Sequence, residues 1–204
     1  MKHQPPGVLC LEGDWNHEDP VDRQTIEPAL EMLDRMGILQ IHHRNVNTLP
    51  ELWRHLNNWD SNALRDFRFL YLGFHGEPEF LDIGGDPLGL DTLGAKLEGR
   101  CTDRVIFMSS CGTLESSDDS LNRFCKNKKT GIDAIVGYTE DVDFVEAAAF
   151  EMILFSYLTE MPFGARGPRT LFKKVTEQFP DFTYRLGFRV ATKTWVSEAA
   201  EYIP

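Results

Sequence analysis

His75 and Cys111 are the two residues whose types and setting can do nucleophilic chemistry together. His75 follows the apolar run FRFLYLGF (67–74) and precedes Gly76; Cys111 follows VIFMSS (105–110) and precedes Gly112. Each run reads as a strand, so each side chain stands just past a strand's carboxyl end. In open α/β sheets, sites form there. If the two strands are parallel neighbours, their ends lie about 4.8 Å apart and the side chains can meet. Imidazole would then take the thiol proton, the thiolate would attack a carbonyl carbon, and the imidazolium would protonate the leaving amine. The backbone N–H groups of Gly76 and Cys111 are the candidate oxyanion donors. Taken alone, Cys111 reads as well as a buried thiol; the pairing with His75 is what favours the nucleophile.

The other thiols, Cys10, Cys101 and Cys125, read as small buried hydrophobes. No pair of cysteines has C-x-x-C spacing, and His42-His43 supplies no second spaced ligand pair. A disulfide framework, a zinc site and a cofactor are therefore not expected. Ser109 and Ser110 are not expected to be nucleophiles, because no G-x-S-x-G elbow is present. Ser110 is expected to line the site instead. The loop Glu12-Gly13-Asp14-Trp15 matches neither a phosphate loop nor a dinucleotide fingerprint.

The elements that must position this pair alternate in type. Gly7–Glu12, Ile38–His43, Phe67–Phe74, Val105–Ser110 and Ala134–Gly137 read as strands; Tyr184–Ala191 reads as an edge strand. Asp22–Met36, Leu49–Leu56, Ser116–Lys128 with Ser117 as cap, Phe144–Leu158 and Thr170–Gln178 read as helices. The segment Glu79–Gly99 carries FLDI and then GGDP, which predicts a small hairpin, with a short helix over Thr92–Leu97. Trp195–Pro204 reads as a trailing end, and Lys126–Lys129 as a solvated helix end. Alternation of strands and helices predicts βαβ units, a mostly parallel sheet and helices on both faces. The continuous apolar strands fit burial on both sides. One domain over residues 1–204 is the simplest reading.

The 204 residues carry a formal net charge of −11, which argues against binding to nucleic-acid backbones and mildly favours basic partners. The opening Met1–Pro6 has no signal-peptide pattern, and the longest apolar stretch, Ala147–Leu158, is short and interrupted by Glu151 and Ser156. A cytoplasmic protein without membrane association is expected.

The paired segments YLGFHGEPEFLDIG (71–84) and VIFMSSCGTL (105–114) resemble the caspase-like cysteine peptidases of clan CD, most closely the CHAT-type branch. The long helix after AIVGY (134–138) matches the same layout, so the resemblance runs over roughly Gly7–Leu158. It implies a six-stranded αβα sandwich, peptide-bond hydrolysis of a protein or peptide substrate, His75 as general base and acid, and Cys111 as nucleophile. It implies the Gly76 and Cys111 amides as oxyanion donors. Bacterial relatives of this kind act in antiviral defence or regulated death, switched on by a protein partner. Caspases themselves carry a Gln-Ala-Cys motif that is absent here, and they accept Asp as the residue preceding the scissile bond (P1). In the fold so implied, the loops after the first and fifth strands border the P1 pocket. Those loops carry Glu12 and Asp14, and Glu140, Asp141 and Asp143. Their acidity predicts a basic P1 residue, with Asp14, Asp141 and Asp143 as substrate-binding groups; Asp143 also reads as a helix N-cap. Two other readings stand beside the endopeptidase: a catalytically silent caspase-like module that binds a protein partner through the same cleft, and a flavodoxin-like binding domain.

Overall fold

The computed structural model describes residues 5–16, 19, 21–126, 130–162, 164 and 166–198. Within them, strand β1 (Gly7–Glu12) is followed by α1 (Glu27–Arg35), β2 (Gln40–Asn45), α2 (Leu49–Trp59) and β3 (Phe69–Gly73). Three short strands, β4 (His75–Glu77), β5 (Phe80–Ile83) and β6 (Asp86–Gly89), precede α3 (Leu90–Lys96). Then come β7 (Val105–Ser109), α4 (Asp118–Cys125), β8 (Ala134–Tyr138), α5 (Phe144–Glu160), α6 (Gly167–Gln178), α7 (Pro180–Arg185) and β9 (Phe188–Ala191). The main sheet has six strands in the order β2-β1-β3-β7-β8-β9. All are parallel except β9, which pairs antiparallel to β8. The architecture is the expected αβα sandwich.

Side chains along each strand alternate between two buried cores. Leu9, Leu11, Leu70, Leu72, Ile106, Met108 and Ile135 face one side, against Leu52 and Leu56 of α2, Leu93 of α3 and Leu121 of α4. Val8, Cys10, Phe69, Tyr71, Phe107, Val136 and Tyr138 face the other, against α1, α5 and α6. Both faces being covered is why the strands read as unbroken apolar runs. No helix among the described residues is long and apolar enough to cross a membrane.

Several boundaries differ from expectation for local reasons. Helix α1 begins at Glu27 rather than Asp22, because the residues before it are tied into a loop: the Gln24 N–H bonds to Asp22, and Thr25 and Ile26 bond to Glu12. The strand expected over Ile38–His43 lies two residues later. The hairpin after β3 is a three-stranded antiparallel sheet whose first strand begins at His75 itself. Tyr184 and Arg185 end α7, and Gly187, at φ +58°, makes the turn into β9. Trp195 does not trail off: it packs edge-on against Phe172, and the Ser197 N–H donates to the Val190 carbonyl at 2.8 Å. Residues 199–204, and 127–129 of the basic run, lie outside the described residues.

Two caps follow their sequence signals. Ser117 accepts the Ser120 N–H at the start of α4. Asp143 accepts the N–H groups of Val145 and Glu146 at the start of α5, at 2.9 and 3.0 Å. Replacing Asp143 with Ala should lower unfolding free energy by about 1 kcal/mol in urea titrations, while Asp143→Asn should stay within a few tenths.

Candidate active site

The register of β3 on β7 decides the site. Gly73 is paired with Ser109, and the next N–H, from Phe74, still reaches the Ser109 carbonyl at 3.3 Å. His75 and Cys111 are each two residues beyond that last pair. Both line one cavity of about 170 Å³ at the carboxyl edge of the sheet. Cys101 and Cys125 are buried, with thiol pKa values pushed up to about 12 chiefly by loss of solvent; Cys10 is raised well above its ordinary value for the same reason. Cys111 alone among the four thiols is partly open to solvent. Cys10, Cys101 and Cys125 are buried, as the sequence predicts.

The turn that presents Cys111 is built from two glycines. Gly112 sits at φ +59°, a left-handed conformation that glycine adopts without steric penalty, and its N–H bonds to the Glu140 carbonyl at 3.0 Å. A Cβ on Gly76 would lie 2.3 Å from Thr113 Oγ1 and 2.6 Å from the Cys111 carbonyl oxygen. Gly76 is therefore required for the close approach of the β4 backbone to the Cys111 turn. The Ser110 hydroxyl, which also lines the cavity, donates to Thr113 Oγ1 at 2.7 Å and braces the same turn.

The ring of His75 is oriented by a group the sequence did not reveal. Its Nε2 lies 2.7 Å from the backbone carbonyl oxygen of Trp15. A carbonyl only accepts, so Nε2 carries the hydrogen, and in the neutral ring Nδ1 keeps the lone pair that can take a proton. The Trp15 indole stands edge-on to the His75 ring at 5.4 Å between centroids. The Cys111 Sγ has the Val142 backbone as its hydrogen-bond partner: the Val142 N–H donates to it at 3.4 Å.

The expected acidic loop residues do not gather in this cavity. Asp14 is exposed and held by Asn47, whose Nδ2 donates to it at 2.8 Å. Asp143 caps α5, and Asp141 is exposed outside the cavity wall. The carboxylate that does line the cavity is Glu151 of α5, only 1% exposed. Its Oε1 accepts from Ser109 Oγ at 2.6 Å and from the Tyr138 hydroxyl at 3.1 Å; its Oε2 accepts from the Tyr71 hydroxyl at 2.8 Å. Burial raises the Glu151 pKa from 4.5 to about 7, against the three hydroxyl donors that lower it. Burial, with Glu151 next, also holds both tyrosines well above their ordinary range, so they remain donors. The sequence signal was available: Glu151 falls on the helix face shared by Ala147, Leu154 and Phe155, at spacings of four, three and four. An acid on that stripe must be buried.

A family model described as a family of unknown function (DUF6642) matches residues 6–189. No curated protein matches the chain.

The proton on Glu151 sets a pH dependence. The folded chain holds this proton up to about pH 7, whereas the unfolded chain releases it near 4.5. Between those values the native state binds more protons, so the contribution of Glu151 to stability falls as pH rises through this window and is flat above it. At about 1.4 kcal/mol for each pH unit, the loss is on the order of 3 kcal/mol. Glu151→Gln should therefore gain stability relative to the wild type between pH 4.5 and 8, read from urea midpoints at each pH; a difference that does not change with pH would contradict the burial argument.

Proposed function

We propose that this chain, which belongs to the DUF6642 family, is a cysteine endopeptidase whose Cys111–His75 pair cleaves after a basic residue. The observation that carries the reading is the shared cavity: the one solvent-open thiol, an imidazole with a fixed tautomer and a buried carboxylate all line it.

His75 Nδ1 takes the proton of the Cys111 thiol, and Sγ bonds to the scissile carbonyl carbon. The carbonyl electron pair moves onto oxygen, where the Gly76 and Cys111 N–H groups receive it. The tetrahedral adduct collapses, the C–N bond breaks, and the imidazolium returns its proton to the leaving amine. A thioester remains. His75 then deprotonates a water, which attacks the thioester carbon; the acid departs and Sγ recovers its proton. The Trp15 carbonyl accepts the Nε2 hydrogen throughout and so keeps Nδ1 as the nitrogen that takes and returns the proton.

Glu151 supplies the specificity that the loop acids do not, giving up its proton to solvent as it pairs with the bound ammonium. At roughly 30 Å³ of liquid volume per water, the cavity has room for at least five non-hydrogen atoms, as in a lysine side chain. Its walls include Ile26, Phe144 and Ala148, suited to an aliphatic stem, together with Glu151. A net charge of −11 attracts cationic substrates toward the molecule. The second reading, a silent module that binds a partner through this cleft, is favoured by one observation: the Cys111 Sγ is engaged by the Val142 backbone rather than by His75.

Peptidyl chloromethyl ketones separate these readings when adducts are mapped by mass spectrometry. A lysyl P1 probe should modify Cys111 and leave Cys10, Cys101 and Cys125 intact, and His75→Ala should slow labelling by about 10²- to 10⁴-fold. Glu151→Gln should reduce the preference for lysyl over leucyl P1 by about tenfold to a hundredfold. Equal labelling of all four thiols, or labelling indifferent to His75, would rule out the pair. Reversible binding of the matching peptide with no adduct would support the silent module instead.

A further inference from the structure

We infer that Glu12 is a positioning residue for the proposed catalytic pair, acting on His75 through Trp15; this rests on the endopeptidase reading. Glu12 closes β1 beside Gly73 and is 1% exposed. Its carboxylate is saturated. Oε1 accepts from the Trp15 indole N–H at 2.8 Å and from the Ile26 N–H at 2.9 Å. Oε2 accepts from the Thr25 hydroxyl at 2.6 Å and lies 3.0 Å from His43 Nε2. His43 is in turn backed by Glu27 on its other nitrogen, at 3.4 Å.

These bonds do one thing in common. The connection from β1 to α1 leaves the sheet at Gly13 and returns at Ile26, and Glu12 holds it at both ends: Trp15 near its start, Thr25 and Ile26 at its finish. A buried carboxylate is costly to hold unless its lone pairs are filled, and here they are filled by this one loop and by β2. Among the described residues of that loop, Trp15 hydrogen-bonds to His75. Its carbonyl receives the His75 Nε2 hydrogen at 2.7 Å, and its ring stands against His75 and Phe144 at 5.4 and 5.5 Å. Pinning the indole to the end of β1 therefore fixes the peptide that selects the His75 tautomer. Glu12 touches neither the thiol nor the cavity, and its effect passes through a second residue.

The test uses the full chain and iodoacetamide, reading the alkylation rate of Cys111 by mass spectrometry. Glu12→Gln and Trp15→Phe are each measured with and without His75→Ala, with thermal melts as the fold control. Trp15→Phe keeps an aromatic ring and the backbone carbonyl but loses the N–H to Glu12, so it remains informative if Glu12→Gln does not fold. A misplacement of about 1 Å near a reacting group can lower a rate about a hundredfold. Each variant should slow Cys111 alkylation roughly tenfold to a hundredfold with His75 present, and by nothing further in the His75→Ala background. Wild-type rates in Trp15→Phe, or equal losses with and without His75, would overturn the role of Glu12 while leaving the pair standing. A wild-type rate in His75→Ala alone would overturn both.

Discussion

The parallel pairing of β3 with β7 is the constraint on which the rest depends. It sets Gly73 beside Ser109, so the two chains leave the sheet in step and His75 and Cys111 fall at equal depth beyond it. A slip of β3 by one residue would exchange its two faces, moving Tyr71 to the side now held by Leu72 and leaving β7 as it is. Two well-filled cores, one on each face, thus hold the relative height of two side chains that belong to neither. The glycines at 76 and 112 then let the exiting backbones approach and turn without strain.

Two acids are buried around this edge, and among the described residues neither is paired with Lys or Arg. Glu151 is answered by three hydroxyls, and its proton affinity is raised; Glu12 is answered by an indole, a hydroxyl, a backbone N–H and an imidazole. Their surroundings differ. Glu151 lies on the inner face of α5 above three aromatic strands, where desolvation is the largest effect on it. Glu12 stands at a strand end among polar loop atoms. In the proposed reading these acids divide the work between substrate and base: one faces the cavity, while the other fixes the loop behind His75.

Much of this is legible in the amino-acid sequence. The five parallel strands, the N-caps at Ser117 and Asp143, the burial of Cys10, Cys101 and Cys125, and the meeting of His75 and Cys111 in one cavity all follow from apolar runs and their punctuation. What was not legible depends on long-range placement. Asp14 and Asp141 are expected at the P1 pocket only through the caspase-like layout that the resemblance implies. In the fold Asp14 turns to Asn47, 33 residues away, and Asp141 stays in solvent. Glu151 was passed over as an interruption in an apolar helix, though its place on the buried stripe marked it. The carbonyl of Trp15 could not be found by residue type at all, since every residue has one. The apolar spacing carries the expected helix back to Asp22, whereas Glu12 captures Thr25 and Ile26 and α1 starts at Glu27.

The central claim is that Cys111, His75 and Glu151 serve one bound chain. The most direct measurement is a crystal structure of the Cys111 adduct formed with a lysyl chloromethyl ketone. The expected result is a covalent bond at Cys111 Sγ, the lysine side chain in the cavity with its ammonium at the Glu151 carboxylate, and His75 Nε2 still on the Trp15 carbonyl. An adduct whose lysine side chain lies outside the cavity, with Glu151 still held only by Ser109, Tyr71 and Tyr138, would contradict it.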